Sequence, residues 1–309
     1  MSAAGAASPL ADLREGGTWS RRQRWKNDLI WALASGALRM AQFLPASVQR
    51  TLCVAVACAV WAASGRLRRR VRASLEAGLA RTPTGHEVRA VFARTGETLA
   101  DTLALLDGAE PAGRTLRLDE ESRRVFAAAL AEGRGVVFVT AHLGPWERMA
   151  AVLAGAGFPV AAVARQSYDP RFTALYERVR APRGVKSIYR GPHAARHVVR
   201  ELRRGGAVGF LADLPGRSPS REATLFGRLR AVSTGPASLA AATGAALVVG
   251  TPQRAWDGAL AVQVRRVDVA GASDVHELLA VELGRRIAAD PASWLGHFHA
   301  ELQHCEDRR

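Results

Sequence analysis

The stretch GVVFVTAHLGPWE, residues 135–147, carries the clearest indication of architecture in this sequence. Its first six residues are β-branched and aromatic side chains after a glycine, which predicts a short buried strand. Pro145 is favoured in the first turn of a helix, so a helix is expected to follow the strand directly. His142 then lies in the turn at the carboxyl end of the strand, where ligands gather in open α/β sheets. Glu147 lies in the first turn of the helix.

The same alternation continues through the rest of the chain. Further apolar runs predict strands, and the stretches between them predict helices. The strands are Phe158–Ala164, Ala207–Ala212, Ala245–Gly250 and Leu260–Val267, and the helices are Pro170–Arg180, Pro192–Arg204, Gly235–Ala242 and Val275–Ala289. Strands that alternate with helices form βαβ units. We therefore expect an α/β fold with a mostly parallel central sheet flanked by helices over residues 132–309.

The region before this alternation has a helical pattern over residues 19–131, after a small, polar segment at 1–18 that we expect to be a disordered tail. Val88–Leu106 places apolar residues at three- and four-residue intervals, and Ser122–Glu132 predicts another helix. Two apolar segments, Asp28–Ser47 and Thr51–Ser64, fall short of the roughly 20 uninterrupted residues of a clear spanning helix. Because Arg clusters flank them, they fit helices in the lipid headgroup layer. A buried helical hairpin and one marginal spanning helix are the alternatives.

The charge balance is strongly basic, with 43 Lys+Arg against 28 Asp+Glu and a net charge of +15. Such a surface attracts polyanions, which include nucleic acid, anionic lipid headgroups and acidic proteins. An Arg-rich chain from a high-GC genome would have the same composition. The sequence has no nucleic-acid recognition motif, and its Arg residues are not interleaved with aromatics. A nucleic-acid partner is therefore not expected.

Metal ligands are not indicated by the cysteine or histidine spacing. Cys53, Cys58 and Cys305 form no CxxC pattern, and His297 and His299 have no third ligand nearby in sequence. We expect no metal site, and we expect the two histidines to be structural.

His142 and Glu147 form the candidate catalytic pair. A carboxylate that fixes the tautomer of an imidazole and stabilises the imidazolium is the base-and-partner arrangement of nucleophilic catalysis. The acceptor's own hydroxyl would take the place of a serine. The structural alternative is a helix cap and a carboxylate that complements the helix dipole.

Three segments resemble one known family. Residues 142–147, HLGPWE, fit an H-x4-D/E motif, and with Thr140 they resemble a TxHxGxWE segment. Residues 226–228, FGR, and 233–240, STGPASLA, are similar to an FFG…TGPAxLA segment, and 68–75, RRRVRASL, is similar to RRRVxxNL. The chain thus resembles the lipid A biosynthesis (lauroyl/myristoyl-type) acyltransferases of the lysophospholipid acyltransferase superfamily.

The resemblance implies roles for particular residues. His142 would be the general base and Glu147 its partner. Arg165 would hold a donor phosphate or the oxyanion of the tetrahedral intermediate, or is a surface residue at a strand end. Asp213 would orient Arg165 or the acceptor, or cap its loop. Four arginines would bind phosphates of the acceptor or donor, or form a solvated loop: Arg217, Arg221, Arg228 and Arg230.

The implied activity is transfer of a fatty acyl chain from an acyl thioester to a hydroxyl of a lipid A-type glycolipid. Acyl carrier protein or CoA would carry the acyl chain as co-substrate, without a further cofactor. An acidic carrier protein and an anionic membrane surface would suit the basic chain, at the cytoplasmic face of the inner membrane. Alternatives are acylation of another glycolipid, such as a phosphatidylinositol mannoside, and a membrane-binding homologue without activity.

The sequence departs from the family pattern in its last apolar segment, PASWLGHFH at 291–299. This segment keeps the Pro and first Trp of P-E-x-W-x-W-x-H-x-R and loses the acid. Gly296 replaces the second Trp, Ala300 replaces the Arg, and Ser74 replaces an upstream Asn. These differences put the identity of the acceptor in doubt.

Overall fold

The computed structural model describes residues 18–214, 220–226, 228–254, 259–269 and 274–299, with the backbone alone at 42, 107, 228 and 229. Apart from Thr18, the tail predicted at 1–18 lies outside the described residues. Within them the α/β prediction is confirmed: a mostly parallel sheet is flanked by helices.

All the described strands except the first follow residue 135. They are β1 (Leu116–Leu118), β2 (Val136–Thr140), β3 (Val160–Ala164), β4 (Lys186–Tyr189), β5 (Ala207–Leu211), β6 (Ser220–Leu225), β7 (Arg228–Ser233), β8 (Ala246–Arg254) and β9 (Leu260–Arg266). Seven of the described strands form the central sheet in the order β1-β9-β8-β2-β5-β3-β4. Every neighbouring pair is parallel except β8 with β9. The other two, β6 and β7, form a separate antiparallel hairpin.

Helices cover both faces of the sheet and make up the N-terminal region. They are α1 (Arg21–Gln42), α2 (Ala46–Ala63), α3 (Gly65–Leu79), α4 (Gly85–Leu103), α5 (Glu120–Ala131), α6 (Trp146–Gly155), α7 (Pro170–Arg180), α8 (Ala194–Arg203), α9 (Gly235–Thr243) and α10 (Val275–Ala289).

The core lies on both faces of β2, whose five residues are all buried. Val137 and Val139 pack with the apolar faces of α8, α9 and α10. Val136 and Phe138 point to the opposite face, where Phe126 of α5 and other apolar residues of α6 cover them. Because successive side chains alternate across a strand, this central strand reads as a continuous apolar run, as parallel strands do.

Three features of the sheet differ from the sequence prediction. The strand β1 lies inside the region predicted to be helical, and β4 and the β6–β7 hairpin were not predicted. The strand β1 is only three residues long, LRL, and β4 is an edge strand that begins with Lys186. Short, charged edge strands lack the apolar alternation on which strand prediction depends.

The helices α1 and α2 are tied to the rest of the protein along one side each. Trp31 of α1 contacts the ring of Phe172 in α7 edge to face, at 5.3 Å between centroids. The helix α2 packs closely on α4, where a side chain at Gly96 would lie 2.7 Å from the carbonyl oxygen of Cys53. By length and composition α2 is the one described helix able to cross a membrane.

Candidate active site

Four ionisable side chains follow four adjacent parallel strands. His142 comes after β2, Asp213 after β5, Arg165 after β3 and Arg190 after β4. The Ala212 amide donates to the Thr140 carbonyl at 3.0 Å, and the Arg190 amide donates to the Ala164 carbonyl at 2.9 Å. These bonds continue the strand pairing beyond the sheet, so the four side chains gather at one edge, the usual position of a ligand site in an open α/β sheet.

His142 is held by the Asp213 carboxylate. Its Nδ1 lies 2.9 Å from Asp213 Oδ1, and its backbone amide donates to Oδ2 at 3.0 Å. The Trp294 indole Nε1 also donates to Oδ2, at 2.7 Å. The carboxylate side chain is fully buried, whereas 28% of the His142 side chain is exposed. The imidazole is therefore held at Nδ1, and another part of the ring is accessible.

Glu147, predicted from the sequence to orient His142, has Arg180 as its hydrogen-bond partner in the structure. Its carboxylate accepts two hydrogen bonds from Arg180, at 2.9 Å from Nε and 2.6 Å from Nη2. Glu147 is in the first turn of α6, and both members of the ion pair are almost completely buried. The pair joins α6 to α7, and the position beside Nδ1 of His142 belongs to Asp213.

The segment around Trp294 holds the histidine turn from the other side. The Gly144 amide donates to the Ser293 carbonyl at 2.9 Å, and the Leu295 amide donates to the His142 carbonyl at 2.8 Å. Gly144 has a φ of +55°, a conformation that glycine adopts without strain. In the sequence, Trp294 matches only the first Trp of the family pattern, whereas in the structure its indole holds Asp213.

His297 lies in the same segment and is fully buried. Its Nδ1 lies 2.8 Å from Ser74 Oγ and its Nε2 lies 2.8 Å from the Pro291 carbonyl. The carbonyl requires a proton on Nε2, so Nδ1 accepts from the serine. Burial lowers the pKa of His297 to about 4, and the neutral ring ties α3 to the segment that carries Trp294.

His142 and Asp213 each shift the pKa of the other. Burial acts most strongly on His142 and lowers its pKa, but the charge of Asp213 and their hydrogen bond together raise that pKa above the ordinary value. Burial likewise acts most strongly on Asp213 and raises its pKa. The charge of His142 and the hydrogen bonds from His142 and Trp294 together lower that pKa below the ordinary value. The shared proton therefore belongs to the imidazole, and Nε2 is the ring nitrogen left to accept a second one.

A cavity of about 800 Å³ opens beside His142, within the usual size range of ligand sites. The Trp146 ring lies edge to face against the imidazole at 5.3 Å. The described residues that line the cavity are His142, Trp146, Glu147, Val163, Ala164, Arg165, Gln166, Ser167, Tyr168, Thr173, Tyr176, Arg180, Tyr189, Arg190, Leu211, Leu214, Leu295, Phe298 and His299.

Of the arginines predicted to bind substrate, only some lie in the described part of the structure, and one of these lines the cavity. Arg165 lines the cavity. Arg221 forms an ion pair with Asp274 at 2.6 Å, and Arg230 is buried, so neither is among the described lining residues. Arg217 and the side chain of Arg228 lie outside the described residues. Arg190, which the sequence analysis missed, lines the cavity beside Arg165.

A histidine held by a buried carboxylate and open to a cavity at the carboxyl edge of a parallel sheet is an arrangement that enzymes with a general base use. A family model described as bacterial lipid A biosynthesis acyltransferase matches residues 20–302. The chain belongs to this family, and its activity is therefore that of an acyltransferase acting on a lipid A-type glycolipid. The family is membrane-associated. No curated protein matches the sequence significantly.

Proposed function

We propose that this protein transfers a fatty acyl chain from an acyl thioester to a hydroxyl of a lipid A-type glycolipid, with His142 as general base and Asp213 as its positioning residue. The observation that carries the proposal is the bond between His142 Nδ1 and the buried Asp213 carboxylate, which leaves Nε2 for the cavity. The donor is acyl carrier protein or CoA. The net charge of +15 supports an acidic carrier protein, and CoA is also anionic.

The reaction needs only one proton carrier. Nε2 of His142 takes the proton of the acceptor hydroxyl as its oxygen attacks the thioester carbonyl. Asp213 stabilises the imidazolium that forms. When the tetrahedral intermediate collapses, the carbon–sulfur bond breaks and the imidazolium returns the proton to the leaving thiolate. An ester and a free thiol result, and the histidine is neutral again.

The ion pair of Glu147 and Arg180 has a supporting role in this proposal. It forms part of the cavity wall and connects α6, which follows the histidine turn, to α7. Arg180 also lies over the Tyr176 ring, at 5.4 Å from its centroid. A buried pair with two hydrogen bonds resists repositioning, so the wall beside His142 keeps its shape when substrate enters.

Membrane association is supported by the apolar stripes, two rows of exposed large apolar side chains on α1 and α2. The rows advance mostly in steps of four residues, so each lies along one helix face. Each side chain is at least 40% exposed: Trp25, Leu29, Ile30, Leu33 and Met40 on α1, Phe43 in the turn, and Val48, Leu52, Val56 and Val60 on α2. Exposed apolar patches with basic neighbours suit an anionic membrane surface.

The two helices are proposed to lie in the membrane plane at the cytoplasmic face of the inner membrane. The helix α2 is tied to α4 by ion pairs of Arg50 with Glu97 at 3.3 Å and with Asp101 at 3.5 Å. If α2 crossed the bilayer, these charged groups would enter the membrane with it, which is costly. The chain just before α1 also touches a residue that lines the cavity, because Trp19 stacks on Tyr168 at 5.6 Å between ring centroids. A lipid acceptor would thus reach the cavity directly from the bilayer.

The stripes predict a specific loss of membrane binding. Leu33→Asp combined with Val56→Asp is expected to lower partitioning onto anionic phospholipid vesicles at least about tenfold, because each side chain contributes roughly 1.5–3 kcal/mol when buried. Co-sedimentation measures this. Leu278→Asp with Val281→Asp is the matched control, since these α10 side chains are similarly exposed. Equal losses in both double variants would contradict the assignment. Retention of wild-type protein in alkali-washed membranes would favour a spanning α2.

The activity is tested by mass spectrometry of total lipids from cells that express the wild type, His142→Ala or the control His86→Ala at equal membrane levels. His86 is exposed on α4, so its replacement leaves the site intact. We expect a glycolipid to gain one acyl mass with the wild type and with His86→Ala only. A mannosylated lipid as product would redirect the acceptor assignment. Identical lipid profiles with wild type and His142→Ala, in a host that contains lipid A, would overturn catalysis by His142.

A further inference from the structure

Arg165 and Arg190 occupy equivalent positions on two paired strands. The strands β3 and β4 are parallel and in register at Ala164 with Tyr189, and the arginines are the next residues. The Arg190 amide donates to the Ala164 carbonyl at 2.9 Å, so the pairing extends to this level. Neighbouring strands lie about 4.8 Å apart. The two guanidinium groups therefore start from adjacent backbone positions, and both line the cavity.

Neither guanidinium group is neutralised by a carboxylate of the described residues. Arginines nearby are paired: Arg180 with Glu147, and Arg171 with Asp169 and Asp28. Among described residues, Arg165 and Arg190 form no ion pair and no side-chain hydrogen bond. Among the described residues that line the cavity, Glu147 is the one acidic residue, and Arg180 already balances its charge. Within the described part of the chain, the cavity therefore holds two positive charges that no carboxylate compensates.

The two charges act on each other and on His142. Burial lowers the pKa of Arg190, and the charge of Arg165 lowers it further. Arg190 also lowers the pKa of His142, against the larger effect of Asp213. An anion bound between two positive charges offsets their mutual repulsion. Two guanidinium groups also match the geometry of phosphate oxygens.

We propose that Arg165 and Arg190 together bind a phosphate ester of a substrate and thereby set its reacting group beside His142. This rests on the proposed function. Two sources of this chemistry meet in an acyltransferase of this kind: the phosphopantetheine of the acyl donor and a sugar phosphate of the glycolipid acceptor. Both carry a phosphate a constant number of bonds from the reacting atom, so binding the phosphate limits where that atom can lie along the cavity.

Kinetics of Arg190→Gln identify the substrate whose phosphate is bound. If the phosphate belongs to the donor, KM for an acyl-carrier or acyl-CoA donor rises about 10- to 100-fold, the usual effect of losing charged hydrogen bonds. With an N-acetylcysteamine thioester, which has no phosphate, the variant then equals the wild type. If the phosphate belongs to the acceptor, KM for the acceptor rises instead, and a dephosphorylated acceptor removes the difference. Arg190→Lys is expected to recover part of the loss.

A binding measurement separates this proposal from the activity itself. Inorganic pyrophosphate should raise the Tm of the detergent-solubilised wild type, and less so that of Arg165→Gln or Arg190→Gln. Arg200→Gln, an exposed arginine on α8, is the control and should behave as the wild type. This result would support the site even if no acyl transfer were detected. Equal shifts in all four proteins, or equal kinetic losses with phosphate-free substrates, would overturn the proposal.

Discussion

Asp213→Asn is expected to lower kcat about 10³- to 10⁴-fold and to leave KM for both substrates close to wild type. The amide keeps the shape of the carboxylate, but it removes the charge that stabilises the imidazolium. It also presents either an amide hydrogen or a weaker acceptor to Nδ1 of His142. The effect falls on kcat because the imidazolium forms only during the reaction. Steady-state kinetics with a defined donor and acceptor measure it.

The pH profile distinguishes this role from a merely structural one. His142 acts as a base only when it is neutral, so activity falls as the pH decreases through its pKa. Asp213 raises that pKa, and Asp213→Asn is therefore expected to move the acidic limb of kcat to lower pH. Glu147→Gln is the comparison, since Glu147 affects the same pKa least among the groups named for His142. A larger displacement with Glu147→Gln, or activity of Asp213→Asn within tenfold of wild type, would return the orienting role to Glu147.

Arg148→Met is expected to reduce the free energy of unfolding by about 3–5 kcal/mol, the usual loss when one partner of a buried ion cluster is removed. The Arg148 side chain is fully buried in α6, with Asp101 at 3.4 Å and Glu110 at 3.1 Å. It also donates to the carbonyls of Pro111, Ala112 and Asp101. Without the guanidinium, two buried carboxylates and three carbonyls each lose one partner, while Arg50 stays 3.5 Å from Asp101 and Arg114 stays 3.7 Å from Glu110. Urea denaturation in detergent measures the change.

The control for Arg148 is an arginine in a surface ion pair. Arg124 is 74% exposed and lies 3.8 Å from Glu120, and Arg124→Met is expected to change stability by less than about 1 kcal/mol. Adding Glu110→Gln to Arg148→Met should recover part of the loss, because the second substitution removes one buried negative charge that has lost its Arg148 partner. An Arg148→Met protein as stable as the Arg124 variant would show that water or neighbouring groups solvate the carboxylates.

The sequence predicted the features that depend on local periodicity. Long apolar runs such as β2 and amphipathic stretches such as α7 and α10 have their own signature, so the α/β fold followed from them. His142 was placed correctly in a turn after a strand, because Pro145 and the apolar run before it mark that turn. The edge strands β1 and β4 were missed since few of their side chains face the core.

The partner of His142 could not be read from the sequence, because it depends on the order of the strands. Asp213 lies 71 residues after His142, and the two meet only because β5 pairs with β2 in the sheet. Glu147 is five residues away in sequence, but its helix directs it to Arg180. The Trp294 indole reaches Asp213 across 81 residues. Adjacent strands in a parallel sheet are chosen by packing of the whole domain, which short motifs do not encode.

The bond between Trp294 and Asp213 has a consequence for the order of events on the ribosome. The helices α1 and α2, which we propose to bind the membrane, are synthesised first, while most of the chain is still to be made. His142 and Asp213 are synthesised later. Their arrangement is completed only when translation has passed Trp294, and when the segment around Trp294 has formed its backbone bonds to the histidine turn. Competence for chemistry therefore requires translation to pass residue 294, and a chain terminated before it would lack a finished catalytic centre.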